Sequence, residues 1–130
     1  MTRKMAREEA FILIFEKAFN GSTVDEIIEL AKDVRDLEPD EYIVRVFNGV
    51  FENVDEIDGV ISKNAVGWRI ERISKTALSV LRLALFEIMF CEDIPSSVSI
   101  NEAVELCKKY ATKDDASFVN GILATVVKAL

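Results

Sequence analysis

Four groups of residues in this 130-residue chain could do chemistry. The first is a basic run, Arg3, Lys4 and Arg7, with no acid among the first seven residues. Cations at the start of a helix meet the positive end of its dipole, which is mildly unfavourable, so the run suits an anionic partner. The plainer reading is an ordinary solvated helix start. The second group is Lys108, Lys109 and Lys113 beside Tyr110 and Phe118. Cations for phosphates and flat rings for unstacked bases are what single-stranded RNA binding requires, unless both rings are simply core. The third group is the carboxylate pairs Glu8-Glu9 and Asp114-Asp115. Neither has a neighbour that would tune a pKa for acid–base work. The fourth is Cys91 and Cys107, with no CxxC between them. Helical periodicity turns Cys107 inward, as a structural thiol.

The chain has no histidine, which removes Ser-His-Asp and Cys-His constellations and histidine metal sites. It has neither GxxxxGK[ST] nor GxGxxG, so no phosphate cradle of those kinds. An enzyme, a metal site and a bound cofactor are therefore not expected.

The charge is uneven. The net charge is −7, from 16 bases and 23 acids, yet residues 22–62 hold 12 of the acids and only 3 bases. The rest of the chain is slightly positive, and a polyanion would have to bind there. Half the residues are hydrophobic and only 5 are Gly and 2 Pro, a globular composition of single-domain size. Such a chain buries roughly two-thirds of its surface and needs no staple. The longest near-apolar stretch, 77–91, is broken by Ser79, Arg82 and Glu87, so no membrane span is expected. Scattered single cysteines suit a reducing, cytoplasmic compartment.

The periodicity is helical nearly throughout. A first helix is predicted over 5–20, stopped by Asn20-Gly21. Thr23 and Glu26 form a capping box for a second. A third starts at Pro39 and carries apolar residues at steps of three and four from Tyr42 to Ile61. Gly49 and Gly59 inside it cost about 1 kcal/mol each against alanine, which suggests a close crossing or a bend. Asn120-Gly121 is read likewise as close packing. A short turn at 68–73 precedes a cap at Ser74 and a central helix over 75–90. Ser99 to Glu102 reads as a second capping box, opening a helix with Ala103, Val104, Cys107 and Ala111 inward. The last helix is predicted over 116–130. The fold class is all-α, with six or seven helices.

Several motifs then stand in order: Leu81-Arg82-Leu83-Ala84-Leu85-Phe86-Glu87, Ile94-Pro95, Ile100-Asn101-Glu102-Ala103-Val104-Glu105-Leu106 and Phe118-Val119-Asn120-Gly121-Ile122-Leu123. With Ala6-Arg7-Glu8 at the start, the chain resembles the NusB family of transcription antitermination factors, closely over 68–123 and loosely over 22–65. The resemblance implies one NusB-like domain over 1–130, built as two small helical bundles. It implies a non-enzymatic factor that binds boxA RNA with the ribosomal protein NusE, in an antitermination complex with RNA polymerase during ribosomal RNA transcription. Carried over by position, the RNA contacts would be Arg3, Lys4, Arg7, Phe15 (where the family often has tyrosine), Tyr110, Asp114 and Phe118. Glu87, on the helix over 75–90, would meet the protein partner. Two departures matter: the basic start is short, and Ser117 stands where a lysine is common. Three phosphate contacts at the start would give a log–log salt slope of about −2. Asp114 could equally cap the last helix. The competing function is a purely protein-binding helical adaptor.

Overall fold

The apolar run 75–90 has hydrophobic residues on most sides, so neighbours must cover it all round. In the computed structural model, which describes residues 1–130, it is the helix on which most of the others pack. The elements are α1 (Arg3–Lys17), α2 (Val24–Arg35), α3 (Glu41–Glu52), α4 (Val54–Asn64), α5 (Lys75–Phe90), α6 (Ser96–Tyr110) and α7 (Lys113–Lys128). A single 3-10 turn, Ile70–Arg72, joins α4 to α5. Helices α1, α2 and α3 form one bundle, and α4, α6 and α7 pack with α5 in the other. The two share α5, whose Leu81, Leu83 and Leu85 are wholly buried. Burial of such a side chain stabilises by about 1.5–3 kcal/mol.

Most helix starts follow from a side-chain oxygen that accepts a free backbone N–H. Thr2 accepts from Met5, Asp40 from Ile43, Ser74 from Ala77 and Thr112 from Asp115, at 2.9–3.1 Å. Thr23 and Glu26 make the reciprocal capping box.

Several expectations change. The first helix spans Arg3–Lys17 and ends before Asn20-Gly21, and the last starts at Lys113, not at 116. The helix expected to run on from Pro39 to Ile61 is two helices, broken at Asn53, whose side-chain amide donates to the Gly49 carbonyl at 2.8 Å. The box at 99–102 caps nothing: α6 already starts at Ser96, and Ser99 is buried inside it. Gly21 is not left-handed; positive φ occurs at Asp36, φ 53°, which closes α2, and at Gly67, φ 81°. Gly121 is exposed, and a Cβ there would touch nothing, so close packing does not explain it. Cys91 and Cys107 are both buried and unpaired. Burial, helped by Asp115, pushes the Cys107 thiol up to about 11, which keeps it protonated and unreactive.

Candidate nucleic-acid interface

The basic start is mostly occupied within the protein. Arg7 is 5 % exposed, and its Nε donates to Glu87 Oε2 at 2.8 Å. Glu87 is 1 % exposed and also accepts from Ser99 Oγ at 2.7 Å and from the Tyr42 hydroxyl. Burial, then the Glu87 carboxylate, pushes the Tyr42 hydroxyl well above the usual phenol range, so it remains a donor. Two expectations are thereby corrected. Arg7 is not presented to phosphates, and Glu87 is not presented to a partner protein. The reason is physical: a buried carboxylate needs a cation and hydrogen-bond donors, and Arg7, Tyr42 and Ser99 supply them from α1, α3 and α6. Lys4 pairs with Glu102 at 3.5 Å, and the Arg3 guanidinium lies 4.6 Å from the centre of the Tyr42 ring. Both remain exposed.

Two expected aromatics share a face. Tyr110, at the end of α6, lies 5.1 Å from Phe11 between ring centres. Phe11 is buried and lies 6.1 Å from Phe15, which lies edge-on to Phe19 at 4.8 Å. Phe11 and Phe15, four residues apart, share one side of α1, and Phe19 in the turn just past its end continues the row. Phe15 is half-buried and Tyr110 is exposed.

Glu8 fixes the Tyr110 end, accepting from the Tyr110 hydroxyl and from Lys109 Nζ at 2.7 Å. Those two hydrogen bonds, Lys109 first, hold its carboxyl below the ordinary value of 4.5. The stabilisation is present above that value and is lost as pH falls through the lower folded one. Glu8 also occupies a lysine and a hydroxyl that a nucleic acid could use. Glu8→Gln is expected to raise affinity for single-stranded RNA by roughly three- to fivefold at low salt, less at high salt. Fluorescence anisotropy at two salt concentrations checks this; weakened binding would show that Glu8 itself serves the ligand.

Phe118 lies elsewhere. On α7, it meets Trp68 edge-on at 5.8 Å. Both line a cleft of about 130 Å³ with Arg72, Ile73, Ser74, Asp114 and Asp115. Asp114 is exposed in the first turn of α7, and the cap is Thr112, so Asp114 is not needed for capping.

Residues 4–128 match the model of the NusB family. The chain belongs to the NusB family. The transcription antitermination protein NusB of Clostridium botulinum (strain Loch Maree / Type A3) is 42% identical over 141 residues, covering 98% of this chain and all of the relative. That of Ruminiclostridium cellulolyticum is 45% identical over 130 residues, covering 98% and 90%. Among solved structures, T. maritima NusB superposes with a TM-score of 0.88 at 33% identity, covering 98% of this chain and 92% of that one. A crystal structure of the antitermination factors NusB and NusE in complex with dsRNA matches equally well, TM-score 0.88 at 27% identity, covering 98% and 97%. The all-α NusB fold expected from the motifs is thus the fold observed. No helix is long and apolar enough to cross a membrane.

Within this NusB fold, the sequence reading missed Trp68 and Phe19, the most exposed aromatics on these two surfaces, at 56 % and 59 %. The available signal was weak. Trp68 is the only tryptophan, but it follows the loop residue Gly67, where no period assigns a face.

Proposed function

We propose that this chain is a transcription antitermination factor, a binding protein and not an enzyme, that holds single-stranded boxA-type RNA together with NusE. It acts as a single NusB-like domain, in the cytoplasm, within a complex with RNA polymerase that transcribes ribosomal RNA. The observation that carries this reading is family membership joined to the aromatic face of exposed Tyr110 and half-buried Phe15, flanked by Lys109. Rings of that kind accept bases without regard to sequence, and nearby cations accept the backbone. The related NusB and NusE complex with dsRNA supports the same pairing of partners.

In this reading Phe15, Tyr110 and Phe118 offer ring surfaces, Arg3 and Lys4 meet phosphates, and Asp114 accepts hydrogen bonds from base amino groups. The partner meets the end of α5 and the loop after it through outward residues such as Phe90 and Glu92, since Glu87 faces inward.

Labelled boxA-type RNA, titrated with the chain alone and with added NusE, tests the proposal by anisotropy. Binding is expected to be weak alone and at least about fivefold tighter with NusE, the usual scale of coupling between two ligands. Binding of NusE with no RNA binding in either arm would select the adaptor reading instead.

A further inference from the structure

Half of the chain's 16 cations are tied up in ion pairs, including Lys4, Arg7, Lys108 and Lys109. Arg69, Arg72 and Lys75 are not, and all three are exposed within seven residues around the 3-10 turn. Only Glu71 opposes them in that stretch. Lys75 opens α5, whose first turn holds no acid, so a cation stands at the positive end of the dipole at a cost to the isolated protein.

These cations adjoin rings. Arg72 lines the Trp68–Phe118 cleft, and Lys75 Nζ lies 5.5 Å from the centre of the Phe19 ring. Phe19 continues the Tyr110–Phe11–Phe15 row. Ser74 and Lys75, adjacent in sequence, therefore bridge the cleft and the row. The charge is also divided across the cleft: Asp114 and Asp115 belong to α7, and the cations belong to the 69–75 segment. A phosphate is repelled from the α7 side and drawn to the other. A base amino group is drawn the opposite way.

We propose that Trp68, Arg69, Arg72 and Lys75, with Phe19, form a second RNA subsite that extends the Tyr110–Phe15 surface to Phe118. This rests on the RNA reading above and adds a position and a polarity. A base stacks on the exposed Trp68 ring at the mouth of the cleft, beside Phe118, the three cations track the phosphates outside it, and Phe19 under Lys75 carries the strand between the two aromatic groups. The main phosphate contacts are thus at 69–75 and not at the chain's basic start.

Trp68 is the sole tryptophan, so its emission reports on this cleft alone. The full chain, alone and with NusE, is titrated with labelled boxA-type RNA while anisotropy and Trp68 emission are read together. Emission is expected to change in step with anisotropy, and Trp68→Ala to weaken binding about tenfold. The triple variant Arg69→Gln/Arg72→Gln/Lys75→Gln should flatten the log–log salt slope by about 2, at roughly 0.7 per contact. All four positions are exposed, and thermal melts confirm that the variants fold. RNA that binds while Trp68 emission and the triple variant's slope stay unchanged overturns the subsite and leaves the function standing. No RNA binding in either arm overturns both. Emission that responds to an oligoglutamate peptide and not to RNA overturns the subsite in favour of a protein ligand.

Discussion

Arg7→Ala is expected to destabilise the protein by about 3–5 kcal/mol, the usual cost of stripping one partner from a buried ion pair. Glu87 would stay inside, 1 % exposed, with donors from Tyr42 and Ser99 but no cation within reach of a hydrogen bond. For a domain of this size the loss corresponds to roughly 10 °C or more in melting temperature. Replacing both members by apolar side chains, Arg7→Met/Glu87→Met, is expected to recover most of it, because the cost comes from the charge left alone. Urea unfolding of the three proteins decides the matter. An Arg7→Ala chain that keeps its midpoint and loses about 0.7 from the RNA salt slope would show that Arg7 contacts phosphate after all.

That cluster marks where sequence reading stops. Arg7 and Glu87 are 80 residues apart, and Glu8 lies 101 from Lys109. Local pattern shows a basic start and a carboxylate on a helix, each free for a ligand, and only the tertiary fold pairs them. Two elements whose signals are local read correctly. Helix α5 runs over the expected residues because the Ser74 cap and its apolar run are adjacent. Thr23 and Glu26 form the expected box for the same reason. Ser99 to Glu102 has the same letters as a box, but α6 has already begun at Ser96, and Ser99 is drawn to Glu87. The break at Asn53 is hidden because α3 and α4 keep one apolar period across it, and periodicity registers faces, not continuity. Of the proposed interface, Phe15, Tyr110 and Phe118 are expectations that the family resemblance supplies. Which cations remain free to serve them depends on ion pairs between distant residues.

Gly49→Ala is expected to destabilise by about 1–3 kcal/mol, the range for overpacking a tight core. An added Cβ would sit 2.2 Å from two atoms of the Phe86 ring, where ordinary contact needs about 3.5 Å or more. The ring has little freedom to yield: Phe86 is buried and stacked on Phe90 at 5.4 Å. Gly59→Ala supplies the internal control. Gly59 lies within α4, exposed, and a Cβ there meets nothing within 4 Å. Alanine should stabilise that helix by up to about 1 kcal/mol, since glycine loses more backbone freedom on folding. The two substitutions add the same methyl group to a helix interior, so opposite signs isolate the α3–α5 contact from helix propensity. The consequence reaches the interface, because α5 carries Lys75 at its start and Glu87 in its last turn. If Gly49→Ala moves α5, then Trp68 emission and RNA affinity should shift with stability; rescue by Phe86→Leu in the same chain would trace the effect to that ring. Destabilisation by both alanines, or by neither, would mean that α3 does not cross α5 as closely as Gly49 allows.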